Sequence, residues 1–148
     1  MPGFKYNMTD IQASFGLHQL QRLESNLKKR EEIWNTYNNA FKSLPLILPL
    51  EPEPDTRHAR HLYTIRVKDS SPLDRDTLMD ELYTRNIGTG VHYTALHLHE
   101  YYRNTYNYKK GDLPNTEIVG DTILSLPLSA KLTDDDIKDV VDAVKDCF

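Results

Sequence analysis

The chain has 148 residues, with 18 Lys+Arg against 22 Asp+Glu and a formal charge of −4. That length suits one domain with a buried core of its own, and the mild acidity argues against a nucleic-acid or anionic-membrane binder, which would carry a basic patch. No apolar run approaches the ~18 residues of a membrane span, Met1-Pro2-Gly3-Phe4-Lys5 lacks a signal-peptide core, and the one cysteine, Cys147, excludes an internal disulfide and points to a reducing, cytoplasmic compartment.

The first element is the strongest. Ile11, Phe15, Leu20, Leu23, Leu27, Ile33, Trp34, Tyr37, Phe41 and Leu44 recur mostly at gaps of three and four, which predicts one amphipathic helix over 9–44. Thr9-Asp10-Ile11-Gln12 fits the capping box, and Pro45 stops the helix because it lacks an N–H and restricts the residue before it. Unbroken, the helix spans ~50 Å. In so small a protein it is expected to reach past its own domain and lie against another domain or subunit. Leu46-Ile47-Leu48 is a short apolar run with strand character, and Pro49 to Asp55 is an extended Pro/Glu connector.

His61-Leu62-Tyr63-Thr64-Ile65-Arg66-Val67 alternates and is rich in β-branched and aromatic residues, so a strand is predicted. Asp74 or Ser71 caps a helix running to about Asn86, with Leu78, Met79 and Leu82 inward. Ile87 to Tyr93 reads as a strand leaving that helix. Leu113 to Leu124 reads as a helix with Pro114 in its first turn, followed by Ser125-Leu126-Pro127-Leu128 as a short strand or extended segment. Thr133-Asp134-Asp135-Asp136 opens a final helix whose acids suit the dipole, with Ile137, Val140, Val141 and Val144 as its apolar stripe. The fold class is α+β: a small, mostly antiparallel sheet flanked by helices, with the long N-terminal helix protruding.

Three places bear on chemistry. Gly3-Phe4-Lys5-Tyr6-Asn7-Met8 precedes a capped helix start, where free N–H groups and the dipole favour an anion; Lys5 adds charge and Asn7 an amide donor. A solvated tail is the plainer reading. His92, His97 and His99 cluster near Tyr93, Tyr101 and Tyr102. They read as packed or surface side chains, or as a polar substrate wall; alternation would put His97 and His99 on one side of a strand. A metal centre lacks support, with no cysteine nearby and no helical ligand spacing. Gly88-Thr89-Gly90 has the spacing of neither a P-loop nor a dinucleotide fingerprint and reads as a tight helix-to-strand turn. Cys147 has no catalytic pattern beside it and reads as inert.

Four phrases, in order, resemble the DegT/DnrJ/EryC1/StrS family of sugar aminotransferases: Gly3-Phe4-Lys5-Tyr6-Asn7-Met8-Thr9-Asp10-Ile11-Gln12-Ala13, His58-Ala59-Arg60-His61-Leu62-Tyr63, Asn86-Ile87-Gly88-Thr89-Gly90-Val91-His92-Tyr93, and Ser125-Leu126-Pro127-Leu128. These are fold-type I enzymes that use pyridoxal phosphate. The resemblance spans nearly the whole chain, but only the family's C-terminal part. It implies that 1–148 is a single small domain, with 1–44 as active-site loop and long helix and 45–148 as the α+β part, and that the large cofactor-binding domain is absent. None of the ten lysines matches the family's Schiff-base motif, so no catalytic residue and no metal ligand is assigned and the chain reads as a fragment, inactive by itself.

The resemblance further implies that the loop bearing Lys5 and Asn7 reaches across a homodimer to the neighbouring subunit's cofactor phosphate. His92 and Tyr93, with His97 as a further contact, would line the nucleotide-sugar pocket. The family commonly has Trp where Arg60 stands. The implied activity is transfer of an amino group, usually from glutamate, to a keto sugar nucleotide. Alternatives from other classes are a free-standing dimerisation or regulatory module of the same fold, and a family member that dehydrates or regulates. An upstream frame encoding the lysine-bearing domain separates these.

Overall fold

The structure is a computed structural model that describes residues 3–148; Met1 and Pro2, the first residues of the stretch read above for a leader, lie outside the described residues. The long helix is present as two. Helix α1 spans Asp10–Gln21 and α2 spans Leu23–Phe41, with Arg22 serving both as C-cap and N-cap. The hitch is one residue long: the Arg22 N–H bonds the Gln19 carbonyl three residues back, and the Ser25 hydroxyl takes the Arg22 carbonyl at 3.0 Å. Such local bonds compete with the helical ladder. At the start, Thr9 and Gln12 form the expected capping box. The helix ends at Phe41, three residues earlier than the pattern predicts, in a turn closed by the Leu44 N–H on the Phe41 carbonyl.

The halves differ in what they bury. Helix α1 has no buried residue, and Ile11, Phe15, Leu17 and Leu20 lie exposed along it. Helix α2 buries Leu27, Ile33, Trp34, Tyr37 and Phe41. The long element is therefore an arm with a rooted half and a free half.

The root is a three-stranded antiparallel sheet in the order β1-β2-β3, with β1 Leu46–Ile47, β2 Tyr63–Val67 and β3 Ile123–Leu126. The β2 alternation sets the register: Tyr63 and Ile65 lie opposite Leu126 and Leu124, and Val67 opposite Leu46. Those residues form one core with Ile33, Tyr37 and Phe41 of α2, Leu78 and Leu82 of α3 (Arg75–Thr84), and Ile137, Val140 and Val144 of α6 (Asp134–Lys145). Asp74 caps α3, and Thr133 closes a capping box with Asp136 at α6. Ser71 caps no helix; its hydroxyl bonds Leu73 instead.

Three expectations are corrected. Ile87 to Tyr93 is not a strand. It meets β3 at a single rung, Gly90 opposite Ser125, whose backbones exchange both bonds at 2.7 and 3.2 Å. In an antiparallel ladder the next bonded rungs would need the N–H groups of residues 127 and 123. Pro127 has none, and Ile123 spends its own on the Val119 carbonyl at the end of α5 (Pro114–Thr122). Second, His97-Leu98-His99 is not a strand: Leu96–Leu98 is a 3-10 turn, and His99 precedes a helix that the sequence pattern did not show, α4 (Glu100–Tyr106), ended by Asn107 in the left-handed region. Third, the helix predicted over 113–124 stops at Thr122, so β3 begins at Ile123 with no loop between them. Pro114 does occupy its first turn.

Candidate functional site

The N-terminal loop carries Lys5 and Asn7 at the tip of the arm. Both are exposed, as are Phe4, Tyr6 and Met8 around them, and the Phe4 and Tyr6 rings lie 5.9 Å apart. An apolar, unpacked tip with a cation and an amide is shaped for another surface. The helix start behind it is partly self-satisfied. The Gln12 N–H bonds the Thr9 hydroxyl at 3.3 Å, the Thr9 N–H bonds Gln12 Oε1 at 3.0 Å, and Asp10 adds a carboxylate to the first turn. The exposed Lys5 ammonium and Asn7 amide stand in front of this helix start as further donors.

His92 and Tyr93 stand beside β3. The His92 ring folds back over Gly90 and places Nδ1 2.8 Å from Ser125 Oγ. Its edge meets the Tyr93 ring at 5.0 Å and 81°. His92 is half-buried, whereas Tyr93 is 74% exposed. A fixed imidazole beside an exposed phenol can offer directed hydrogen bonds and a stacking face to a polar ligand.

His97 is placed differently from these two. It is buried, with Nε2 2.9 Å from Glu117 Oε1 and its ring edge-on to Tyr108 at 5.9 Å. Glu117 also accepts the N–H groups of Gly111 and Leu113. Burial raises the Glu117 pKa, but the bonds from His97, Gly111 and Leu113 outweigh it and hold the carboxyl below its ordinary value. The pair ties the 3-10 turn to the start of α5. His99 is exposed and does not share a side with His97.

A cleft of about 420 Å³ among the described residues, lined by Arg85, Asn86, Gly88, Pro127, Asp136 and Asp139 among others, contains none of Lys5, Asn7, His92, Tyr93 or His97.

The lysines bear on a carbonyl cofactor. A lysine that bonds such a carbonyl covalently must be desolvated, so that its amine is neutral. Nine of the ten are exposed, and Lys29 is half-buried but ion-paired with Asp134 at 2.9 Å. The Lys5 and Asn7 donors suit a phosphate; no lysine here suits the carbonyl end.

Ser125 is the residue sequence reasoning missed. It lies in the Ser-Leu-Pro-Leu phrase, read from the sequence as a short strand or extended segment, and the pairing of that strand with Gly90 brings its hydroxyl to the His92 ring.

The structure thus joins an α+β root to a protruding, unpacked helical arm. The family model described as "DegT/DnrJ/EryC1/StrS aminotransferase family" matches residues 1–145, and the chain belongs to that family. It is similar to the uncharacterized protein MJ1066 of Methanocaldococcus jannaschii, 49% identical over 97% of this chain and 37% of that protein. It is also similar to the spore coat polysaccharide biosynthesis protein SpsC of Bacillus subtilis, 42% identical over 98% of this chain and 38% of that one. Among solved structures, Spr1654 of Streptococcus pneumoniae, described as a candidate sugar aminotransferase, superposes in its PLP-form with a TM-score of 0.89 at 31% identity. There 99% of this chain covers 37% of that one. The chain thus spans under two fifths of the length of these relatives, and corresponds to their C-terminal part. No helix among the described residues is long and apolar enough to cross a membrane.

Proposed function

We propose that this chain is the C-terminal small domain of a cytoplasmic, homodimeric aminotransferase that moves an amino group, from glutamate, to a keto carbon of a nucleotide-linked sugar. The observation that carries this reading is the arm: twelve helical residues that bury nothing, ending in a loop that presents Lys5 and Asn7. Such an arm gains its stabilisation only against a second body. In the proposed dimer Lys5 and Asn7 hold the phosphate of the cofactor bound by the neighbouring subunit, the ammonium by charge and the amide by a hydrogen bond. Pyridoxal phosphate, when bound, supplies the electron sink for the reaction.

His92 and Tyr93 would orient the sugar nucleotide. His97 would act indirectly, by holding with Glu117 the 3-10 turn that follows Tyr93 in the chain. Without a desolvated lysine the chain would be inactive by itself. Two measurements test the reading. The isolated chain, given pyridoxal phosphate and then borohydride, should show no adduct concentrated at one lysine by mass spectrometry; such an adduct would refute it. In the full-length enzyme, His92→Ala should weaken sugar-nucleotide binding by roughly tenfold, the scale of one hydrogen bond lost from a polar site, with cofactor binding unchanged. Equal loss of both would make His92 structural.

A further inference from the structure

We infer that Ser125 is the positioning residue that sets the His92 ring, with Gly90 making the room for it. The inference rests on the reading of His92 as a sugar-nucleotide contact. Ser125 sits on β3 between Leu124 and Leu126, whose side chains enter the core, so its own side chain leaves the opposite face of the strand. It is 5% exposed. Its backbone is clamped to Gly90 by the double rung, so the hydroxyl has a fixed origin.

Two residues after Gly90 the chain places His92, and the imidazole folds back across that rung. A Cβ on Gly90 would lie 2.9 Å from His92 Cε1, closer than real Cβ atoms come. Glycine at 90 is therefore what permits the ring to reach Ser125. No conformational freedom is needed here, only the absence of a side chain.

The bond has a direction. A buried hydroxyl needs an acceptor for its proton, and Ser125 Oγ makes no other hydrogen bond among the described residues. The hydroxyl donates to Nδ1. The ring proton then resides on Nε2, which makes no bond among the described residues and reaches solvent. His92 is thus held as an outward N–H donor, suited to an oxygen acceptor on the sugar nucleotide, such as a phosphate or sugar oxygen. Serine beneath histidine fixes the tautomer, as an outer partner does for many working imidazoles.

The test reads the ring itself. Nitrogen-15 NMR of the 148-residue chain, in alkaline solution where an ordinary imidazole is neutral, should show His92 with its proton on Nε2. Ser125→Ala, and separately Gly90→Ala, should each give a mixed tautomer population. The Gly90→Ala clash is with a side chain and not with backbone, so the ring can move aside without unfolding the strand. Combining the two should add nothing, because both break one bond. An unchanged His92 tautomer in both single variants overturns the proposal.

In the full-length enzyme, Ser125→Ala should raise KM for the sugar nucleotide roughly three- to tenfold, as expected for one neutral hydrogen bond. Ser125→Thr, which keeps the hydroxyl, should restore it. An unchanged KM alongside an altered tautomer would overturn the site reading while leaving the ring-setting role of Ser125 in place, so the two failures are distinguishable.

Discussion

Tyr37 separates two contributions to the core that are usually confounded. Its side chain is fully buried, stacked on Phe41 at 5.6 Å and edge-on to Tyr63 at 5.0 Å, and its hydroxyl donates to the Pro127 carbonyl at 3.0 Å. Burial, with the nearby Asp136 charge, pushes the phenol far above its ordinary pKa, so it stays a neutral donor. Tyr37→Phe removes the donor and keeps the ring. A lost hydrogen bond costs ~0.5–1.5 kcal/mol net, and more if the acceptor is stranded in the interior. Pro127 is only half-buried and lines the 420 Å³ cleft, where water reaches it, so the lower range applies and the expected cost is about 1 kcal/mol. For a domain of this size that lowers Tm by ~2–4 °C. Tyr37→Ala removes the ring as well and should cost about 4 kcal/mol, by analogy with other aromatic truncations in cores. Urea unfolding of both variants followed by circular dichroism measures the difference. If Tyr37→Phe costs as much as Tyr37→Ala, the hydroxyl and not the aromatic packing holds α2 to the sheet, and the reasoning fails.

Other predictions follow from single contacts. Thr9→Ala removes a cap of ~1 kcal/mol, but α1 buries nothing, so amide exchange should quicken at residues 10–13 while the global Tm stays within error. Glu117 is more acidic folded than unfolded. The unfolded chain therefore binds more protons in the acid range, and the stability Glu117 contributes is present above the ordinary glutamate pKa and lost as pH falls through the lower native value. Glu117→Gln should flatten that acid slope of the unfolding free energy, with Asp74 and Asp136, also held low by cap bonds, supplying what remains. Burial raises the Cys147 thiol, with Arg85 only partly opposing it. It should alkylate more slowly at pH 7 than a free thiol, and equally fast once denatured.

The sequence pattern revealed those elements whose stabilisation is local or periodic. Thr9 and Gln12, Asp74, Pro114, and Thr133 with Asp136 each stand at a helix start because the cap chemistry is written in adjacent residues. Tyr63, Ile65 and Val67 alternate because one face of β2 meets the core. The failures share a different cause. Whether Ile87 to Tyr93 pairs as a strand depends on Pro127 and on what Ile123 does with its N–H, both distant in sequence. The 3-10 turn at Leu96–Leu98 is stabilised by His97 reaching Glu117, twenty positions on. In the candidate site, the residue types of His92 and Tyr93 were legible, whereas the hydroxyl that orients His92 was not. The arm was legible as surplus apolar length, and the hitch at Arg22 was not, because it arises from one displaced N–H.

The sheet has a consequence for how this domain meets other chains. A sheet edge with free N–H and carbonyl groups invites a foreign strand, and long flat edges seed fibrils. Here β1 offers two residues only. On the opposite side β3 is already joined to Gly90 at its middle, has one flank committed to α5 and the other ended by a proline. Neither border can template strand addition. The apolar surface that the chain does expose, along the helical arm, is made of side chains, which unlike a bare backbone edge can discriminate one partner from another.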